Sequence, residues 1–111
     1  MIFEMNLHPL PFMKIKNSLK DIEMRLYKGN RKDISVGDSI RFTNIETKET
    51  LLVKVVNIYV FKTFKELYDY FPKNRLGYLD NEIANYKDMN IYYSDEEIKK
   101  YGVVGFEIIK I

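Results

Sequence analysis

Lys20-Asp21-Ile22-Glu23-Met24-Arg25-Leu26 is the stretch that decides how this chain is read. Ile22, Met24 and Leu26 alternate with Asp21, Glu23 and Arg25, the period-two pattern of a strand with one apolar and one charged face. The apolar face requires a core. The charged face sets an acid and a base two residues apart, with Lys20 at the strand mouth. Two arrangements satisfy this: a salt-bridged sheet surface worth at most ~1 kcal/mol, or the floor of a polar cleft.

On the N-terminal side of this stretch, Met5 to Leu7 starts a first strand. Pro9 and Pro11 then punctuate the chain, and Pro11 fits the first turn of a short helix running to about Leu19. Phe12, Ile15 and Leu19 have the spacing of a buried stripe, with Lys14 and Lys16 pointing outward. On the C-terminal side, Lys28-Gly29-Asn30-Arg31-Lys32 is a turn rich in cations. Val36-Gly37-Asp38 is a tight turn feeding a strand in which Ile40 and Phe42 alternate with polar residues. After a polar hairpin turn at Asn44 to Glu49, Leu51 to Phe61 is the strongest strand. It is nearly continuous in apolar residues and so is expected at the centre of a sheet.

Thr63 and Glu66 have capping-box spacing and open a helix carrying Phe64, Leu67, Tyr68 and Phe71, which ends before Pro72. Ser94 and Glu97 repeat the motif ahead of a short helix with acids in its first turn, closed by Tyr101-Gly102. Val103 to Ile111 is a last strand. Asn74 to Met89 shows no periodicity. The expected fold is α+β: a small, mostly antiparallel barrel or curled sheet with helices over its ends, in one domain spanning residues 1–111.

The chain has no cysteine, which excludes disulfides, thiolate nucleophiles and zinc-cysteine sites, and fits a reducing cytoplasm. No run of roughly 18 apolar residues is present, so no membrane-spanning helix and no membrane partner are expected. The first eleven residues lack the order of a signal peptide. His8 is the single histidine, and no metal site is expected around it. Neither a glycine-rich phosphate loop nor a serine-histidine-acid pattern appears, and no cofactor is expected. The net charge is +2. Lys14, Lys16, Lys20, Arg25, Lys28, Arg31 and Lys32 face only Asp21 and Glu23 in the same segment, which fits either a locally bound anionic partner or a solvated lysine-rich surface. If these cations shared one surface, binding would fall steeply with salt.

Three segments resemble the ASCH family, a branch of the PUA-like β-barrels. Lys20-x-x-Glu23-x-Arg25 is similar to that family's Lys-x-x-Glu-x-Arg motif, with Ser18 where a glycine usually stands two residues before the lysine. Ile34-x-Val36-Gly37-Asp38-x-Ile40-x-Phe42 is similar to the turn and strand that follow, and Tyr101-Gly102-Val103-Val104-Gly105-Phe106-Glu107-Ile108 to the closing strand. The resemblance implies a barrel of five or six strands with two or three short helices and a cleft beside the first helix. It implies binding of RNA or a modified nucleoside. Some bacterial relatives are amidohydrolases of acetylated cytidine that use a lysine, a threonine and a glutamate. Lys20 matches the lysine, Glu23 stands at the threonine position, no glutamate matches the third, and Thr63 lies at the wrong place to substitute.

The candidate ligand-binding residues are therefore Lys20, Glu23, Arg25, Tyr27, Arg31 and Lys32. Arg25 can fork onto a phosphate or stack on a base, and Lys20 can meet an anion as a point charge. Glu23 can accept from an exocyclic amine, or hold Arg25 in place. Tyr27 can stack on an unpaired base while Arg31 and Lys32 grip the backbone, and Lys14 and Lys16 can extend the patch. In an enzyme, an N4-acetylcytidine amidohydrolase for example, Lys20 and Glu23 would be catalytic. Neighbouring Asp21 and Glu23 favour a charged Lys20, which suits an anion contact better than a base. The Tyr78 to Tyr93 segment can form a cleft wall, and His8 is read as structural or as a rim contact. A protein-interaction module that receives a partner strand at the barrel edge is the third reading. Oligomeric state is left open.

Overall fold

The strand begun by the deciding stretch is β2 (Ile22–Leu26), and its partner is the last strand of the chain, β5 (Val103–Lys110), in antiparallel register with Glu23 opposite Phe106 and Arg25 opposite Val104. In the computed structural model, which describes residues 1–111, β5 also pairs with β4 (Thr50–Phe61), β4 with β3 (Ser39–Asn44), and β3 in parallel with β1 (Ile2–Leu7). The sheet order is β1-β3-β4-β5-β2. The long strand predicted as central is the middle one. The first strand begins earlier than Met5, because Ile2 to Leu7 all find register partners along β3. A register shift between Val55 and Asn57 bends β4, as a bulge does, and the sheet curls into a half-barrel.

Three helices complete the α+β fold: α1 (Pro9–Lys16), α2 (Phe64–Tyr70) and α3 (Asp95–Tyr101). The cationic turn after β2 winds into a 3-10 turn, Gly29–Asp33. The aperiodic segment holds two more, Lys73–Leu76 and Tyr86–Ile91. Thr63 accepts from the Glu66 amide, and the Ser94–Glu97 box is reciprocal.

Two cores share β5. Phe12 and Ile15 of α1 pack inside the half-barrel with Phe3, Phe42, Val53, Val104 and Phe106. Ile22, Met24 and Leu26 instead join Val103, Phe64, Leu67, Phe71, Leu76 and Met89 in a second core under α2 and the 3-10 turns. Gly105 sits at that boundary: a Cβ there would lie 3.2 Å from Ile22 Cγ2 and 3.4 Å from Leu67 Cδ1, so the glycine lets β2 and α2 pack closely on β5. The apolar face of β2 thus serves the helical layer. Residues directly opposite on neighbouring strands share a face, so Glu23 and Arg25 share one with Phe106 and Val104 of the barrel core.

Helix α1 stops short of Leu19, which is exposed. The Leu19 amide donates to the Lys14 carbonyl (2.7 Å) and the Ser18 amide to Ile15 (3.1 Å). Ser18 has φ +61°. This is a Schellman C-cap, whose left-handed position favours glycine. It explains physically why the family pattern carries glycine there and marks Ser18 as a strained departure.

Candidate functional site

The two edges of the sheet, β1 and β2, approach without pairing, and Arg25 spans the seam. Its Nη2 donates to the Asn6 carbonyl of β1 (2.8 Å), while its Nε donates to Glu23 Oε2 (2.8 Å). Lys20, delivered by the Schellman turn, sets its Nζ 3.5 Å from Glu23 Oε1 and 3.5 Å from the Leu76 carbonyl. The three side chains keep only 8%, 4% and 13% of their surface exposed for Lys20, Glu23 and Arg25. They floor a cleft of about 530 Å³, whose walls include His8, Arg31, Met89, Ile91, Tyr92 and Tyr93. Of the two arrangements the alternation permitted, these residues adopt the buried one.

Burial drives Lys20 below its ordinary pKa. Glu23 opposes that shift, and the nearby Arg25 and Lys14 cations add to it. Of the two acids expected to favour a charged Lys20, only Glu23 does so. Asp21 turns away and pairs with Arg75 at 3.0 and 3.1 Å, and burial outweighs the one carboxylate that remains. Arg25 is the reverse case: burial disfavours its charge, but Glu23 more than compensates, and its pKa lies above the usual value. The Tyr93 phenol is also pushed up, first by burial. Its ring stacks on Phe64 (centroids 6.0 Å, 12° between planes), and Tyr92 lies against His8 (5.7 Å).

Arg31, placed by the sequence reading on an outer basic loop with Lys32, lines the cleft, and its Nε is buried without a hydrogen-bond partner. Tyr27 and Lys32 lie outside the lining, with Lys32 Nζ 5.5 Å from the Tyr27 ring centroid. The seven cations between Lys14 and Lys32 do not form one patch. Lys14 donates to the Gly77 carbonyl (2.6 Å) and Lys16 pairs with Glu49 (2.6 Å), so neither extends the cleft. The tyrosine segment divides likewise. Tyr92 and Tyr93 face the cleft, whereas Tyr78 is tied to Tyr68 (2.8 Å) and Asp88 (2.7 Å) behind it.

Sequence reasoning missed Arg75, which bridges Asp21 and Glu107. It also missed Gly77, which has φ +100° and packs against the lysine so closely that a Cβ there would lie 3.3 Å from Lys20 Cδ. No local pattern marks either; only the fold joins them to residues more than thirty positions away. No group of three or more His, Cys, Asp or Glu side chains is placed to hold a metal. No helix is long and apolar enough to cross a membrane.

A curled five-stranded half-barrel with three helices and a charged cleft at its seam defines an ASCH/PUA-like α+β protein. An ASCH domain family model matches residues 5–111, and the chain belongs to the ASCH domain family. It is similar over its whole length to the crystal structure of a hypothetical protein, PH0355, at 34% identity and TM-score 0.85, covering 100% of both chains. It is also similar to the solution structure of protein PF0455 from Pyrococcus furiosus, at 32% identity and TM-score 0.74, covering 100% of this chain and 98% of that one. An ASCH protein of Zymomonas mobilis shares the fold at 11% identity and TM-score 0.64, over 97% of this chain and 67% of that one. No curated protein matches.

Proposed function

We propose that residues 1–111 act as one ligand-binding domain of the cytoplasm, whose cleft receives a base of RNA or of a nucleotide-like ligand. Lys20, Glu23 and Arg25 form the floor, Arg31 the rim, and Tyr92 and Tyr93 the wall. The observation that carries this reading is the orphaned Arg31 Nε beside the floor. A buried donor without a partner costs ~1–3 kcal/mol, and a base carbonyl or phosphate oxygen entering the cleft relieves that cost. Three cations against one acid favour a ligand rich in acceptors. Glu23 holds the Arg25 fork in advance, and its remaining lone pairs can accept from an exocyclic amine. Tyr27 and Lys32 form an outer pair rather than part of the pocket.

Fluorescence anisotropy with a short labelled single-stranded RNA tests this. Arg31→Ala weakens binding about tenfold or more, the scale of a lost base or phosphate contact, and Lys32→Ala has a smaller effect. Equal affinity of Arg31→Ala and the parent protein refutes the assignment.

A second reading is supported by the burial of Lys20, which lowers its pKa: a desolvated amine gives up its proton more readily and can serve as a base or nucleophile. An amidohydrolase on N4-acetylcytidine would use Lys20 with Glu23, and acetate release lost in Lys20→Ala identifies it. No carboxylate besides Glu23 pairs with Lys20, so the three-residue set of the bacterial amidohydrolases is not assembled here.

A further inference from the structure

Much of the unpaired positive charge of the chain lies outside the cleft. Lys28, Lys62, Lys99 and Lys100 take part in none of the ion pairs of the structure, and they converge from three separate segments. A groove of about 1010 Å³ between the end of β4, the start of α2 and the end of α3 is lined by Lys62, Lys65, Lys99 and Lys100 against Glu66 and Asp95. Lys65 is paired with Asp69 (2.9 Å), and Asp95 accepts from Asn90 (2.9 Å). The ring of Tyr101, also in the groove, has Lys28 Nζ at 4.9 Å and Lys100 Nζ at 5.1 Å from its centroid.

This groove adjoins the cleft through two elements. Lys28 immediately precedes the 3-10 turn Gly29–Asp33 that carries Arg31 into the cleft, so one loop sends a cation to the cleft and another over the Tyr101 ring at the groove. The 3-10 turn Tyr86–Ile91 is the shared wall, with Tyr86 and Asn90 on the groove side and Met89 and Ile91 on the cleft side. Lys99 and Lys100 complement the carbonyl end of α3. That role does not account for Lys28 and Lys62, which belong to other segments. Like charges gathered in one concavity repel unless an anion lies among them.

We propose that the groove holds the sugar-phosphate backbone of a single-stranded RNA, one base of which enters the cleft, so that the partner is a polymer rather than a free nucleoside. The inference rests on the cleft being a base site. A base inserted there must be unpaired, which selects a single strand. Lysines from separate segments suit successive phosphates, and exposed Tyr86 offers a stacking surface.

The test compares the parent protein with Lys99→Ala/Lys100→Ala, using cytidine monophosphate and a single-stranded RNA of about eight nucleotides, with resonances of the variant checked for an unchanged fold. The oligonucleotide binds the variant more weakly. Its loss of affinity between about 50 and about 200 mM salt shrinks roughly sevenfold, as two lost phosphate contacts at a slope of ~0.7 each require. Binding of the mononucleotide at Tyr92 and Tyr93 is unchanged. Equal oligonucleotide affinity and salt slope in both proteins overturns the groove while leaving the base site standing. Oligonucleotide binding that responds to the lysines but leaves Tyr92 and Tyr93 unperturbed overturns the base site and, with it, the path proposed here. A polyglutamate peptide that displaces the RNA at equal charge overturns the RNA assignment in favour of an acidic protein.

Discussion

Two of the three arginine–glutamate pairs of the molecule have the same chemistry in opposite surroundings. On the outer face, Arg41 of β3 grips Glu4 of β1 through three hydrogen bonds of 2.6 to 3.2 Å, with both side chains about half exposed. At the seam, Arg25 holds Glu23 through one bond of 2.8 Å, and both are buried. By bond count the outer pair is the better one. By surroundings it is the weaker, because water screens it and competes for the same groups. The inner pair has lost its water, and each member depends on the other. The same chemistry is therefore a screened surface pair in one place and the buried floor of a cleft in the other.

Breaking the inner pair gives the largest effect. Glu23→Ala leaves Lys20 and Arg25 as buried cations without their shared carboxylate, and denaturant unfolding should show a loss of ~3–5 kcal/mol. Next comes the pH dependence set by Lys20. Its folded-state pKa is lowered by burial, so between that value and its ordinary value the unfolded chain holds the proton that the folded one has released. Stability therefore rises with pH across that window, and the Lys20 penalty is complete below it. Relative to Lys20→Met, the parent protein should gain stability as pH rises toward about 10, by at most ~1.4 kcal/mol per pH unit. A flat difference contradicts the lowered pKa.

A smaller effect belongs to the turn that delivers Lys20. Ser18→Gly removes a left-handed serine from the Schellman cap and should stabilise by about 0.5–1 kcal/mol after the greater chain entropy of glycine is counted. The smallest belongs to the outer pair: Arg41→Ala should leave the denaturant midpoint within experimental scatter. A large loss there would erase the contrast between the two pairs.

The fold was largely legible. Period-two alternation marked β2 and β3, the continuous apolar run placed β4 at the centre, β1 was read from Met5 rather than Ile2, and the starts of α2 and α3 were written in their caps. The floor was legible as Lys20, Glu23 and Arg25, because spacing and family resemblance coincide there. What could not be read is what needs three dimensions. Asp21 looks like a partner for Lys20 in the sequence and is held by Arg75 in the fold. The seven clustered cations scatter, since each follows the face of its own element. The lysines of the second groove lie far apart along the chain, and Tyr92 and Tyr93 met the floor only once the aperiodic segment had folded over the seam.

The central claim is that the seam cleft is the ligand site, and an amide-resolved magnetic resonance titration tests it most directly. Labelled protein is titrated with short single-stranded RNA and, separately, with N4-acetylcytidine, and each tube is assayed for deacetylated product. The account predicts shifts centred on Lys20 to Arg25, Arg31 and Tyr92 to Tyr93 with RNA, and no product. Shifts confined to the outer face around Glu4 and Arg41, or no shifts with either ligand, contradict it.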